Sequence, residues 1–195
     1  MAKREHHSSA PQLTSRVILM ARHGQTAHNK EGRFQGTLEV GLDEVGFAQA
    51  RALAEVARGH GLVELWCSPL LRARQTADVV GAALGLEPRP DARFAEHDTG
   101  SWTDRLKADV EAEDPDAWAA YLRGGEGWTF PGGESLEAFM QRVVDGLVAV
   151  TQAARLPALV VCHRGVIRAA QSHTHMRGLD TFHEWPVPNG ALLAL

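Results

Sequence analysis

The segment ILMARHGQTAHN, residues 18–29, decides the fold of this chain and indicates where its chemistry lies. An apolar run over 17–21, which is typical of a buried strand, leads directly into Arg22, His23 and Gly24. Neighbouring side chains of a strand point to opposite faces, so Arg22 and His23 can share a pocket only if the strand ends there. Gly24 permits the turn that such an ending requires. The segment therefore predicts a strand that ends in functional side chains.

Apolar runs alternate with segments of helical periodicity along the rest of the chain. Further strands are predicted over 62–67, 158–162 and 190–195, and helices within 45–56, 70–85, 114–125, 134–156 and from about Val166. This order predicts an α/β fold, a three-layer α/β/α sandwich with a mostly parallel central sheet. In such sheets ligands bind beyond the carboxyl ends of the strands, so the residues that follow each strand are the first candidates for a site.

The composition excludes several classes of protein. A chain of 195 residues fits one domain, which we predict over 16–195 after a flexible N-terminal tail over 1–15. The formal net charge of −4 argues against binding of nucleic acid or an anionic membrane through bulk charge. The tail lacks the apolar region of a secretory signal, and no apolar stretch approaches the ~20 residues that cross a bilayer. Two cysteines, Cys67 and Cys162, make no disulfide framework. We therefore expect a cytoplasmic protein.

Basic side chains follow three of the predicted strands. They are Arg22 and His23 after the first, Arg72 one turn beyond Ser68 and Pro69 after the second, and His163 with Arg164 after the third. Arginine offers paired planar donors that suit phosphate oxygens, and helix N-termini add backbone N–H groups. A histidine among them can bind a phosphate or attack it. A single histidine at a strand end is more often structural, but the combination favours a phosphate site.

A zinc site built on His23 and His163 is the main chemical alternative, because histidine is a common metal ligand. Against it, Arg22 would place a cation beside the metal, and no HExxH motif or cysteine pair accompanies the histidines. The segment HTH, residues 173–175, lies on a predicted helix, where the two rings would point to different faces. The sequence therefore predicts no metal and no cofactor.

Taken together, these motifs resemble the histidine phosphatase superfamily, which has the phosphoglycerate-mutase-like fold. In order they are RHGQT (22–26), Asn29, RFQG (33–36), SPLLRARQTA (68–77), AEHDTGSW (95–102), PGGES (131–135), VVCHRG (160–165) and PNG (188–190). The resemblance covers nearly the whole chain from Arg16 on. No single motif is specific, but the set in this order is.

The resemblance implies the catalytic residues. It makes His23 the nucleophile that becomes phosphohistidine, and Glu96 the acid that protonates the leaving oxygen and then activates water. Arg22, Arg72 and His163 match the positions that hold the transferring phosphoryl group. To attack, His23 must be neutral, with its proton held on the far nitrogen, for which a backbone carbonyl is the expected partner. Glu96 must carry a proton when it acts as an acid.

Substrate contacts and departures from the family pattern concern the surrounding loops. Substrate binding is implied for Arg22, Asn29, Gln35, Gly36, Arg72 and His163. Arg164 replaces a frequent glycine and adds either a pocket cation or a solvated side chain, of which we favour the second. His97 is expected to be solvated unless it faces the acid. Thr103 and Asp104 alter a loop near the pocket.

The function implied by the resemblance is hydrolysis of a phosphomonoester, a small phosphorylated metabolite, through a phosphohistidine intermediate. Two alternatives stay open at this point: a phosphoglycerate mutase-type transfer, and a non-catalytic protein that binds a phospholigand on the same fold. A positioned acid such as Glu96 has no use in a binding protein. The sequence fixes neither the substrate nor the oligomeric state, and a homodimer is compatible with it.

Overall fold

The structure is a computed structural model that describes residues 17–153 and 155–195. The predicted tail over 1–15 lies outside the described residues. None of the helices in the described part of the chain is long and apolar enough to cross a membrane.

Five strands form one sheet in the order β3-β2-β4-β1-β5. They are β1 (Ile18–Arg22), β2 (Glu64–Cys67), β3 (Pro88–Pro90), β4 (Ala158–Cys162) and β5 (Leu192–Ala194). Pairing is parallel throughout except for β5, which runs antiparallel to β1 at one edge. The predicted mostly parallel sheet is confirmed. The structure adds β3, whose two prolines are tolerated because the strand lies at the other edge.

Helices cover both faces of the sheet. They are α1 (Ala27–Glu31), α2 (Glu44–Ala57), α3 (Leu71–Leu84), α4 (Lys107–Glu113), α5 (Pro115–Arg123), α6 (Leu136–Ala153) and α7 (Arg164–Thr174). Alternate residues of β4 belong to two separate hydrophobic clusters: Val160 and Cys162 pack with residues of α6 and α7, and Leu159 and Val161 pack with residues of α2 and α3. The predicted three-layer α/β/α sandwich is thus confirmed.

Helix ends follow the chemistry of the sequence. The Asp43 carboxylate accepts from the Gly46 backbone N–H at 2.8 Å and caps α2. Asp114 caps α5 in the same way, with Pro115 at the first helical position, as predicted. Gly85 ends α3 in the left-handed conformation, at φ 68°. These caps fix where each helix begins or ends relative to the strand beside it.

A third hydrophobic cluster lies apart from the two that cover the sheet. It consists of Phe34, Trp102, Val110, Tyr121 and Phe130, with Ala117, Trp118 and Trp128 packed against it. The cluster joins α4 and α5 to the loop that follows α1. We call it the aromatic cluster. It forms one wall of the cavity described below.

Candidate active site

The carboxyl ends of β1, β2 and β4 meet at one edge of the sheet. Arg22 pairs with Cys162 across β1 and β4, and Cys67 pairs with Val161 across β2 and β4. The first residue beyond each of these strands is therefore brought to the same edge. These residues are His23, Ser68 and His163.

Gly24 lets β1 end against the N-terminal turn of α2. A Cβ atom at Gly24 would overlap the backbone of Gly46, and a Cβ atom at Gly46 would overlap the carbonyl oxygen of Gln25. The Gly24 N–H donates to Oγ1 of Thr76 at 3.1 Å. Gly24 is therefore required by the close approach of two backbones and not by the turn expected from the sequence, since its φ is not positive.

The ring of His23 is fixed in one tautomer. Its Nδ1 lies 2.6 Å from the carbonyl oxygen of Gly24, which can only accept, so Nδ1 carries the proton. Burial lowers the pKa of His23 well below its usual value, and the charges of Arg72 and Arg22 lower it further. The imidazole is therefore neutral, with its Nε2 lone pair available. The backbone carbonyl partner is the one expected from the sequence.

Two arginines flank this histidine, and each is anchored by backbone carbonyls. Nη1 of Arg22 donates to the oxygen of Val187 at 2.7 Å. Nη1 and Nη2 of Arg72 donate to the oxygens of Leu38 and Gly36, both at 2.8 Å. The Nε atoms of both arginines are buried and have no hydrogen-bond partner among the described residues. Burial lowers the pKa of Arg22 to about 9 and that of Arg72 to about 10, so both stay cationic at neutral pH.

His163 lies behind His23 and is fully buried. The two ring centroids are 5.1 Å apart in an edge-on arrangement. Nε2 of His163 lies 2.7 Å from Oγ of Ser68, which also accepts from the Leu70 N–H at 3.2 Å. Nδ1 of His163 is buried without a partner in the described part of the chain. Burial lowers the pKa of His163 well below its usual value, and the charge of Arg72 adds to this effect.

Glu96 is held by the N-terminus of α7. Its Oε2 accepts from the Gly165 N–H at 3.2 Å, and its Oε1 accepts from the His97 N–H at 3.0 Å. A Cβ atom at Gly165 would overlap the carboxylate. Nη1 of Arg142, on α6, donates to the oxygen of Ala95 at 2.9 Å and fixes the loop that carries the acid. Arg142 was not predicted from the sequence, because a charged residue on an amphipathic helix is usually exposed to solvent.

A cavity with an empty volume of about 700 Å³ opens over these groups. Its lining includes seven residues predicted from the sequence: Arg22, His23, Asn29, Gln35, Gly36, Arg72 and Glu96. His163 is the exception, since it contacts His23 from behind and is absent from the lining. The structure thus brings all the predicted site residues together.

The loops beside the cavity are tied to the end of β1. Nδ2 of Asn189, in the PNG motif, donates to the oxygen of His23 and to Oδ1 of Asn29, both at 3.0 Å. Oγ1 of Thr26 donates to Oε1 of Gln35 at 2.9 Å. These bonds orient the amides of Asn29 and Gln35 at the cavity rim.

The expectation for Arg164 is wrong. Arg164 is half-buried and lines the cavity, whereas the sequence analysis favoured a solvated side chain. The helix α7 begins at Arg164, two residues earlier than predicted. His97 is buried, not solvated: its ring stacks on Phe139 at 4.4 Å, and its Nε2 lies 2.9 Å from the oxygen of Glu134.

The altered loop lies at the edge of the aromatic cluster. Oγ1 of Thr103 lies 2.8 Å from Oγ1 of Thr99, which lines the cavity. Asp104 adopts a positive φ of 67° and pairs with His28 at 2.9 Å. The loop is therefore near the cavity, as expected.

Several cavity residues were not found from the sequence. They are Arg33, Lys107, Arg168 and His183, together with the aromatic side chains of Phe34, Tyr121, Trp128 and Phe130. The spacing of Arg164 and Arg168, four residues apart on a helix, was a signal that could have found the second of these two. In the described residues, no three side chains of His, Cys, Asp or Glu group together as a metal site would require.

Comparison with known proteins identifies the family. The model of the histidine phosphatase superfamily (branch 1) matches residues 18–195. Glucosyl-3-phosphoglycerate phosphatase of Mycobacterium tuberculosis is 35% identical over 166 residues, which are 80% of this chain and 74% of that protein. Probable phosphoglycerate mutase GpmB of Salmonella paratyphi B is 33% identical over 127 residues, 65% of this chain and 59% of that one.

Two solved structures are also similar to this chain in fold. The mycobacterial glucosyl-3-phosphoglycerate phosphatase in complex with VO3 has a TM-score of 0.84 at 29% identity, covering 92% of each chain. TTHB049 from Thermus thermophilus has a TM-score of 0.71 at 34% identity, also covering 92% of each chain. On the family model, the relatives and the fold, this chain belongs to the histidine phosphatase superfamily.

Proposed function

We propose that this protein is a phosphomonoester hydrolase that acts through a phosphohistidine at His23. One observation carries the proposal: two buried guanidinium N–H groups beside this ring have no partner among the described residues. They are Nε of Arg22 and Nε of Arg72. Unpaired buried donors are costly, and a phosphoryl group on the neutral His23 would satisfy them.

The first half of the reaction forms the phosphohistidine. The lone pair of Nε2 of His23 attacks phosphorus, and the bond from phosphorus to the ester oxygen breaks. Glu96 gives its proton to that oxygen, so the leaving group departs as an alcohol. The buried arginines, Arg22 and Arg72, stabilise the charge on the equatorial oxygens.

The second half returns the enzyme to its starting state. Glu96, now ionised, takes a proton from water as the water oxygen attacks phosphorus. The bond between phosphorus and Nε2 of His23 breaks, and inorganic phosphate leaves. Two hydrogen bonds, from Gly165 and His97, keep the carboxylate of Glu96 in place through both steps.

The arginines and histidines supply the positive charge and donors for which other enzymes use a metal ion. We therefore propose a reaction without a metal or organic cofactor. Two arginines that stay cationic at neutral pH flank the site of transfer. The partner is a small phosphorylated substrate, and we propose that it meets the enzyme in the cytoplasm.

Because the chain is similar to a probable phosphoglycerate mutase, mutase-type phosphoryl transfer is the alternative to hydrolysis. A mutase must protect its phosphohistidine from water while a bisphosphorylated intermediate reorients. Only 28 residues separate Trp102 from Pro131 here, and they include RGGEG (123–127). Three glycines of this turn adopt positive φ angles, which favours a short turn over an extended cover. A segment of this length leaves little chain to exclude water from the phosphohistidine, which supports hydrolysis.

The test compares the two outcomes on one preparation. Phosphate release is measured with phosphoglycerates, sugar phosphates, nucleotides and glucosyl-3-phosphoglycerate, the compound in the name of the mycobacterial relative. Exchange between the 2- and 3-phosphates of glycerate is measured with and without bisphosphoglycerate. We expect phosphate release to be faster. An exchange that is stimulated by bisphosphoglycerate and at least about tenfold faster than release would establish the mutase instead.

A further inference from the structure

The residue next to the acid places a second hydrogen-bond acceptor in the cavity. His97 is 5% exposed and lines the cavity, and its backbone N–H donates to the carboxylate of Glu96. Its ring stacks on Phe139 with 4.4 Å between the centroids, and Phe130 meets it edge-on at 4.8 Å. These contacts hold the plane of the imidazole, so the chemistry of the ring depends on which nitrogen carries the proton.

The tautomer of His97 follows from its contact with Glu134. Nε2 of the ring lies 2.9 Å from the backbone oxygen of Glu134, which can only accept, so Nε2 carries the proton. Burial lowers the pKa of His97, and the imidazole is therefore neutral at pH 7 with a lone pair on Nδ1. In the described part of the chain, this Nδ1 has no hydrogen-bond partner and, unlike Nε of Arg72, is not fully enclosed by protein.

A free acceptor matters in this cavity, because many of its polar groups are donors. The cationic lining residues are Arg22, Arg33, Arg72, Lys107, Arg164 and Arg168. At the rim, the amide oxygens of Asn29 and Gln35 already accept hydrogen bonds from other side chains. A water molecule whose lone pair points at phosphorus needs an acceptor for each of its two hydrogens. Glu96 can accept one of them, and Nδ1 of His97 belongs to the adjacent residue.

We propose that Nδ1 of His97 positions the water that hydrolyses the phosphohistidine. As the water oxygen attacks phosphorus, one proton passes to Glu96 and the other hydrogen, held by Nδ1, stays on the oxygen and leaves with the phosphate. The bond between phosphorus and Nε2 of His23 breaks, and its electron pair returns to that nitrogen. His97 neither gains nor loses a proton and acts by orientation. This inference rests on the proposed function, since it concerns the second half of that reaction.

The proposal separates the two halves of the reaction. Formation of the phosphohistidine needs the proton of Glu96 but no water, so the loss of Nδ1 should leave this half unchanged. Its breakdown should become slower. A purely structural role of His97 predicts a different result: a displaced Glu96 slows both halves, because the same carboxylate acts in each of them.

The test measures the two halves separately in the His97→Phe variant, which keeps an aromatic ring against Phe139 and removes both nitrogens. The substrate is the labelled phosphoglycerate or sugar phosphate that the wild-type enzyme hydrolyses fastest. Rapid quenching after a chase with unlabelled substrate gives the decay rate of the phosphohistidine. We expect this rate to fall by about tenfold, the usual contribution of one hydrogen bond, while kcat/KM stays within about threefold.

Two further variants identify the atom responsible. His97→Asn places an amide oxygen close to the position of Nδ1 but cannot reach Glu134, so it should restore most of the decay rate. His60→Phe, at an exposed position, is the matched control and should change neither half.

Each contrary result has a distinct meaning. A decay rate that is unchanged in His97→Phe, an equal loss in both halves, or a decay in His97→Asn as slow as in His97→Phe overturns the role of Nδ1 and leaves the proposed hydrolysis intact. Absence of label on His23 in the wild-type enzyme contradicts the proposed function itself, and the inference falls with it.

Discussion

Gly165 lies so close to Glu96 that a Cβ atom at position 165 would overlap Oε1 of the acid. Gly165→Ala should therefore displace the carboxylate and lower kcat by about tenfold or more, since a general acid contributes about 10²–10⁴-fold. Alanine is the better helix former by up to about 1 kcal/mol, so the melting temperature should not fall steeply. Steady-state kinetics and a thermal melt on the same sample separate the two effects.

The control is Gly59→Ala, because a Cβ atom at Gly59 would meet nothing within 4 Å. This variant should leave kcat unchanged. A Gly165→Ala enzyme of wild-type activity would show that the position of Glu96 tolerates displacement or that another group is the acid.

His23 should carry a transient phosphoryl group. Rapid quenching with labelled substrate should trap label that is labile in acid and stable in base, as expected of a phosphorylated nitrogen. His23→Ala should abolish both label and turnover. His60→Ala is the matched control, because His60 is exposed and precedes β2 at its amino end. Label recovered on any other residue contradicts the assignment.

Ser68 should act as a positioning residue for His163. Ser68→Ala removes the hydroxyl that lies 2.7 Å from Nε2 and leaves this buried nitrogen unpaired. We expect kcat to fall by about tenfold and the pH profile of kcat/KM to shift, because the ring is free to change its tautomer. Ser68→Thr keeps the hydroxyl and should restore most of the rate. An unchanged pH profile would mean that Ser68 only fills space.

Turnover should be unchanged after exhaustive chelation, because Arg22 and Arg72 supply the positive charge that a metal ion would otherwise provide at the phosphoryl group. Activity is measured after prolonged treatment with a strong chelator and again after zinc or magnesium is added back. A loss that either ion restores would contradict the proposed mechanism.

Stability should fall as the pH is lowered below about 6.5. Burial lowers the pKa of His183 to about 4, and it lowers the pKa of His23 and His163 well below the usual value. At a pH between the folded and the unfolded pKa of a histidine, the unfolded chain binds the proton and the folded chain does not. The free energy of unfolding therefore falls as the pH is lowered through this range. The upper limit is about 1.4 kcal/mol per pH unit for each histidine.

Urea unfolding at pH 7 and pH 5 measures this slope. His183→Gln should reduce it by less than that upper limit, because His183 is only partly buried. His60→Gln, at an exposed position, should leave it unchanged. A stability that stays constant between pH 7 and pH 5 would show that these histidines titrate normally in the folded protein.

Periodicity in the sequence predicted the strands that are buried on both faces of the sheet and the helices that have long apolar faces. The strand predicted over 158–162 is β4 as observed, because its five residues are buried on both faces of the sheet. The elements that periodicity missed are short: α1 has five residues, β3 three and α4 seven. The placement of β3, for example, depends on its pairing with β2, a tertiary contact that a linear pattern does not encode.

The residues of the candidate site also fall into those that could be predicted from the sequence and those that could not. His23 and His163 were predictable because both directly follow buried strands, whose ends must coincide in a parallel sheet. Lys107 was not, because it begins a helix of seven residues that periodicity did not detect. Which charged residues of a helix face a cavity depends on how the helix is rotated about its own axis. The composition of the helix does not determine that rotation.

The aromatic cluster has a consequence for how such an enzyme changes over evolutionary time. Apart from Trp128, which also packs against the cluster around β4, its residues belong to none of the clusters that cover the sheet. The wall of the cavity and the strands that carry the nucleophile therefore lie in largely distinct parts of the hydrophobic core. Substitutions at Phe34 or Tyr121, which line the cavity, should reshape the space offered to a substrate without straining β1 or β4. Substitutions in this wall can therefore change which substrate is preferred while the residues at the ends of β1 and β4 stay in place.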